Sequence, residues 1–162
     1  MLKYAPNSYR VINNLGMAYA DVGDYKEAEK IYSRAIALNQ YNPVAYHNLG
    51  NTYKATGERE LAEKYFLIAI EKSPGFSFSY KALVQLYLEN GQYKKARQIL
   101  ERYLNHTSLR LDVLFMLACI AVEENNLDLA LRYLEDALNI DVKNKNIKEF
   151  IVNVRKLMPV QG

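Results

Sequence analysis

The chain has 162 residues, of which half are hydrophobic and 24% are charged, a composition typical of a folded protein. The net charge of +3 is small, and Lys and Arg alternate with Glu along the chain, which argues against a nucleic-acid or membrane-surface binder that depends on a basic stripe. Cys119 is the only cysteine, so an internal disulfide and a zinc cluster are excluded, and the longest apolar run, residues 113–122, is shorter than the roughly 20 residues of a membrane span.

A repeat of 34 residues organises the sequence. Glycines recur with this period at Gly23, Gly57 and Gly91, and one further step reaches Asn125, the next-best residue for a left-handed backbone. The same period relates two other columns, Ala28, Ala62, Ala96 and Ala130, and Leu15, Leu49, Leu83 and Leu117. A fixed period of this length indicates a solenoid or array.

Each period predicts two antiparallel helices of about 12–14 residues joined by a tight turn. In the second period, Ala45, Leu49 and Tyr53 form one apolar helical face, which ends at Gly57. A second apolar face follows and ends at Pro74. Alternating strand patterns do not occur, so the predicted fold is all-α.

The second period carries a characteristic residue set, Tyr46, Leu49, Gly50, Tyr53, Ala62, Phe66, Ala69 and Pro74. This set resembles the tetratricopeptide repeat family. The resemblance implies a right-handed superhelical solenoid with repeats at about 9–42, 43–76, 77–110 and 111–144, all in a single domain spanning 1–162. The other repeats depart from the pattern at Gln40, Val84, Tyr103, Ser108, Ala121 and Val142.

Both ends of the chain carry further predictions. Apolar residues at three- and four-residue steps predict a final amphipathic helix at about 145–157, which either caps the last repeat or binds a partner. Pro6 lies two periods before Pro74, so residues 1–8 are interpreted as the tail of a preceding repeat in a longer protein. The alternative is a naturally short protein with a frayed first turn. The start lacks a signal-peptide pattern, and a cytoplasmic location is the default expectation.

In the resembling family, the first helices of the repeats line a concave groove that binds extended peptides or helices. The repeat frame predicts polar groove contacts from Arg10, Asn13, Asn14, His47, Asn48, Asn51, Lys54, Lys81 and Gln85. It also places apolar side chains there, namely Met17, Phe78, Phe115, Cys119 and Val122. An exposed apolar patch usually marks an interaction site. The alternatives are that the C-terminal helix covers the apolar end, or that a second copy of the chain does so and forms a homo-oligomer.

Two ligand modes of the resembling family can be compared with these positions. Some members clamp the terminal carboxylate of chaperone tails, but the corresponding positions hold Asn13, Met17, Asn48, Phe78 and Ala82, of which only Asn48 matches. Starting one repeat later brings in Asp112, which would repel a carboxylate, so this clamp is not expected. Asn14 and Asn48 resemble two rungs of the asparagine ladder that binds peptide backbone in O-linked N-acetylglucosamine transferase. The alternative is a structural role within the repeats.

Residues for catalysis are sparse in this sequence. His47 and His106 are far apart, Cys119 falls in an apolar helical stretch, and neither a glycine-rich phosphate loop nor a metal-ligand spacing occurs. We therefore expect no enzyme activity, no cofactor and no metal.

The prediction is a protein–protein interaction module that binds a peptide or partner helix in the concave groove. A structural scaffold or self-association module is the main alternative. An RNA-binding helical repeat is another, because 14 tyrosines could stack on bases.

Overall fold

The computed structural model describes residues 8–158, which form nine α-helices and no β-strand. The helices are α1 (Tyr9–Asp21), α2 (Tyr25–Leu38), α3 (Pro43–Ala55), α4 (Arg59–Lys72), α5 (Ser77–Glu89), α6 (Tyr93–Leu104), α7 (Arg110–Glu123), α8 (Leu127–Ile140) and α9 (Lys145–Leu157). The all-α prediction is therefore confirmed for this part of the chain.

The turn inside each helix pair is built around one residue with positive φ. These residues are Gly23, Gly57, Gly91 and Asn125, with φ of 80°, 84°, 66° and 55°. The residue after each of these donates its backbone N–H to the backbone carbonyl five residues before it. Examples are Asp24 to Tyr19 at 2.9 Å and Asn126 to Ala121 at 2.8 Å. The predicted left-handed conformation of Asn125 is confirmed, because its backbone closes the same turn as the glycines.

The chain forms two compact units, Met1–Leu86 and Tyr87–Gly162, and their boundary lies within α5. In the first unit, α1 packs on α2, α2 on α3 and α3 on α4. Glycines on α1 and α3 allow this close packing, because a Cβ on Gly16 would lie 2.6 Å from the Tyr32 ring and one on Gly50 would lie 2.7 Å from the Phe66 ring. The two rings fill the core between the paired helices.

In the second unit, α7 packs on α6 and α8, and α8 packs on α9. The apolar face of α9 is buried at Ile147, Ile151 and Val154, while Lys148 and Glu149 are exposed. One face of α9 is buried and the other exposed because α9 packs on α8, which removes one face from water.

A charged cluster also connects α6 with α7 and α8 in the second unit. Arg97 donates to Glu124 at 2.7 Å and to Glu101 at 3.0 Å, and the Tyr133 hydroxyl donates to the same Glu101. Arg97 and Glu124 are largely buried, so the pair is screened less by solvent than the exposed ion pairs of the helices.

Candidate functional site

One concave surface of the first unit is a groove of about 300 Å³ between α1 and α3, with α2 as its floor. It is lined by Met17, Ala20, Asp21, Tyr25, Tyr32, Asn48, Asn51, Thr52 and Ala55. We call this the α1–α3 groove. Three of the predicted groove residues, Met17, Asn48 and Asn51, line it. Asp21 was not predicted, although it lies four residues after Met17 and helical spacing alone would have placed it on the same face.

Asn48 is held in place by a buried neighbour. Its Nδ2 donates to Oδ1 of Asn13 at 3.2 Å, and Asn13 is only 6% exposed. The prediction that Asn13 faces outward as a groove contact is therefore wrong. Its position on α1 turns it towards α3, where its amide meets that of Asn48. The side-chain carbonyl oxygen of Asn48, Oδ1, has no hydrogen-bond partner among residues 8–158 and remains an acceptor beside the groove, while its backbone carbonyl accepts from Thr52 Oγ1 at 3.0 Å.

Asn51 is held in a similar way by His47. Its Nδ2 donates to His47 Nε2 at 3.1 Å, so the ring proton lies on Nδ1, which donates to Ser79 Oγ at 3.1 Å. Ser79 is fully buried on α5. Both ring nitrogens of His47 are thus used inside the unit. His47 is one of the predicted ligand contacts, but its ring nitrogens already form hydrogen bonds with Asn51 and Ser79.

The surroundings of His47 are aromatic. The His47 ring lies 5.5 Å from Phe66, 5.6 Å from Phe76 and 6.2 Å from Phe78, between ring centroids. Burial in this cluster lowers the pKa of His47 to about 4, so the ring is neutral at pH 7. It connects α3 to α5 as a packing and hydrogen-bonding residue without charge.

The other predicted contacts of the first unit lie on exposed or half-buried positions. Phe78 is 63% exposed beside Phe76, with ring centroids 5.5 Å apart. The remaining exposed residues are Arg10, Asn14, Lys81 and Gln85, and Lys54 is half-buried. An exposed aromatic side chain held by its neighbour is a suitable apolar anchor for a ligand.

The apolar end of the predicted groove lies in the second unit. Phe115 on α7 packs against Phe150 on α9, with ring centroids 5.3 Å apart, and the two helices border a groove of about 340 Å³. Val122 and Cys119 are half-buried, and burial raises the pKa of the Cys119 thiol. Helix α9 therefore covers part of the apolar end. This is the alternative in which the C-terminal helix lies over that end. Phe150 and the groove residue Met116 were missed, because no spacing in the sequence relates α7 to α9.

Among residues 8–158, no group of three His, Cys, Asp or Glu side chains is arranged to hold a metal ion. In the same part of the chain, no helix combines the length and the apolar composition needed to cross a bilayer.

Comparison with known structures shows the same helical-repeat fold. MamA is 20% identical with a TM-score of 0.64, and the match covers 99% of this chain and 83% of MamA. YrrB, described as a tetratricopeptide repeat protein with an unusual peptide-binding site, is 18% identical with a TM-score of 0.63 over 94% of this chain and 78% of its own. The first repeat domain of Spaghetti (RPAP3), bound to the HSP90 peptide SRMEEVD, is 21% identical with a TM-score of 0.59 over 70% and 93%.

Sequence comparison gives the family directly. Among curated proteins, none matches this sequence significantly. Three family models, each described as tetratricopeptide repeat, match residues 7–71, 65–98 and 111–144. These matches cover most of the chain and agree with the 34-residue period, the helix pairs and the positive-φ turns. The chain belongs to the tetratricopeptide repeat family.

Proposed function

We propose that this chain is a protein-interaction module and that its α1–α3 groove binds an extended peptide through the peptide backbone. The observation that carries the proposal is the pair of anchored amides on α3. Asn48 and Asn51 each use one amide N–H in an internal hydrogen bond, to Asn13 and His47. Each then offers its carbonyl oxygen and its second N–H to a ligand from a fixed orientation.

Such anchored amides suit the recognition of backbone. An amide side chain both donates and accepts, so it can pair with the C=O and the N–H of an extended peptide whatever the peptide side chains are. Because internal hydrogen bonds already restrict Asn48 and Asn51, binding costs less side-chain entropy than it would for free amides. Met17 is exposed on the opposite wall and supplies an apolar contact.

The charge of the groove favours a backbone ligand over a terminal carboxylate. None of the described residues that line it is Lys, Arg or His, and one of them is Asp21. A peptide carboxylate would therefore meet a like charge without a compensating cation.

The fold comparisons support an interaction role in general terms. YrrB is described as having a peptide-binding site, and the Spaghetti domain was solved with a bound peptide. These descriptions apply to those proteins, and they show that this fold is used for peptide capture. For the present chain, the anchored amides are the specific argument.

The proposal is tested by selecting peptides from a random display library against the whole chain and measuring their affinity for variants. We expect Asn51→Ala to weaken the selected peptides by about 3- to 10-fold, which corresponds to the loss of one or two hydrogen bonds. Gln98→Ala is the matched control, since Gln98 is also an exposed amide within a helix but lies on α6. Circular dichroism checks that both variants keep their helicity.

Two results would contradict the proposal. One is that no peptide is enriched, which would favour the scaffold alternative. The other is that enriched peptides bind the parent and Asn51→Ala equally well, which would place their site outside the α1–α3 groove.

A further inference from the structure

Among the described residues that line the α1–α3 groove, Asp21 on α1 is the one with a charged side chain. Asp21 is exposed, and its carboxylate forms no hydrogen bond or ion pair with another residue among residues 8–158. The residue one period later is Ala55, which lines the same groove on the α3 wall. The negative charge therefore lies on one wall of the groove, where a ligand can neutralise it.

The position of Asp21 in its helix strengthens the negative potential. Asp21 is the last residue of α1, and the last turn of this helix contains no basic residue. The terminal carbonyls give the C-terminal end of a helix a partial negative charge, so a carboxylate there is unfavourable for the helix itself. A cation bound beside Asp21 would interact favourably with both the carboxylate and the helix end.

The charge of Asp21 also acts on the floor of the groove. Tyr32 is only 2% exposed, and its pKa is raised to about 12, first by burial and second by the negative charge of Asp21. The hydroxyl stays neutral at pH 7, so it adds no second anion. In the described part of the chain, no group of three acidic, His or Cys side chains surrounds Asp21, so an organic cation fits better than a metal ion.

The groove surface beside Asp21 is apolar. Met17 lies four residues before Asp21, about 6 Å along α1, and is 46% exposed. Ala20 and Tyr25 also line the groove. Lys and Arg carry their charge at the end of a long apolar stem, which can pack on Met17 while the charged head reaches Asp21. The amino terminus of a peptide has no such stem.

We propose that the peptide bound in the α1–α3 groove carries a lysine or arginine whose charged head pairs with the Asp21 carboxylate and whose stem packs on Met17. This inference rests on the proposed function and adds sequence selectivity to it. Asn48 and Asn51 contact the peptide backbone and accept any side chain, whereas Asp21 selects one basic residue. Because the charge lies on the α1 wall, it also fixes the register of the peptide in the groove.

The display selection against the whole chain tests this inference when the enriched peptides are remade with acetylated amino termini. We expect a Lys or Arg at one shared position, and acetylation ensures that any dependence on Asp21 comes from that side chain. Asp21→Asn should weaken these peptides by about 2- to 5-fold, as for an exposed ion pair, and the loss should be smaller at high salt. Asp136→Asn is the matched control, because Asp136 is an exposed aspartate on α8 in the second unit, and it should bind like the parent. Circular dichroism checks the helicity of each variant.

A charge exchange tests the pairing itself. Asp21→Lys should bind the basic peptides more weakly than Asp21→Asn does, because two cations then repel each other. It should also bind a peptide with Glu at the shared position more tightly than the parent binds it. Equal affinities of the parent and Asp21→Lys for this Glu peptide would contradict the pairing.

The Asn51→Ala variant separates this inference from the proposed function. If Asn51→Ala weakens the enriched peptides but Asp21→Asn binds them like the parent, the groove binds peptides and the inference of a basic residue is wrong. The same conclusion follows if the enriched peptides share no basic residue. If no peptide is enriched, or if Asn51→Ala has no effect, both the proposed function and this inference are overturned.

Discussion

His47 makes the stability of the first unit dependent on pH. The ordinary pKa of histidine is 6.5, and burial lowers it to about 4 in the folded chain. Because the pKa of His47 is lower in the folded chain than in the unfolded chain, its contribution to stability is fully present above the unfolded pKa. It falls as the pH drops from about 6.5 to about 4, where the unfolded chain binds a proton and the folded one does not.

The size of this effect follows from the difference between the two pKa values. A difference of about 2.5 corresponds to a total loss of about 3 kcal/mol, of which about 2 kcal/mol occurs between pH 7 and pH 5. The physical cause is that a charged ring would lie among Phe66, Phe76 and Phe78, and its Nε2, which now accepts from Asn51, would carry a proton. The hydrogen bond from Asn51 favours the neutral ring.

Two measurements check this reasoning. An NMR titration of the His47 ring protons should show a midpoint near pH 4. The free energy of unfolding in urea should fall by about 2 kcal/mol more between pH 7 and pH 5 in the parent than in His47→Gln, because the glutamine cannot titrate in this range. His106→Gln is the matched control, since His106 is exposed in the turn after α6. A midpoint near 6.5, or the same pH dependence in His47→Gln as in the parent, would refute the argument.

Three further changes should alter stability in urea unfolding. Gly50→Ala should destabilise by about 1 kcal/mol, because overpacking against the fully buried Phe66 ring outweighs the gain in helix propensity, and a variant as stable as the parent would contradict this. Arg97→Met should cost about 2 kcal/mol, since it leaves Glu124 largely buried without its ion-pair partner, and Arg97→Lys should cost less. Asn125→Gly should stabilise by up to about 1 kcal/mol and Asn125→Ala should destabilise, because φ is 55° at this position, and the opposite order would exclude backbone strain as the cause.

The helices and their turns could be predicted from the sequence because their causes are local. A helix pair follows from apolar residues at three- and four-residue steps, and the turn follows from a residue that tolerates positive φ. Asn125 shows the strength of this argument, since the period alone assigned it the conformation of Gly91 and the structure has it. The position of α9 followed from the same spacing.

The candidate site was predicted only in part. Three of the residues that the repeat frame predicts as groove contacts, Met17, Asn48 and Asn51, line the α1–α3 groove. The repeat frame placed Asn13 and His47 among the outward contacts, whereas both form internal hydrogen bonds. Asn13 pairs with a residue 35 positions later, and His47 pairs with one 32 positions later. Helical periodicity predicts the face of its own helix on which a side chain lies. It does not predict which group of the neighbouring helix the side chain contacts.

The sequence by itself therefore determined the family, the all-α fold and the left-handed turns, since backbone conformation and helical periodicity depend on neighbours within a few residues. The tertiary structure alone decided which amides are anchored and which apolar faces are covered. Leu15 and Leu49 occupy the same position of the repeat, but one is exposed and the other is buried. The difference arises because burial depends on whether a second helix packs on that face.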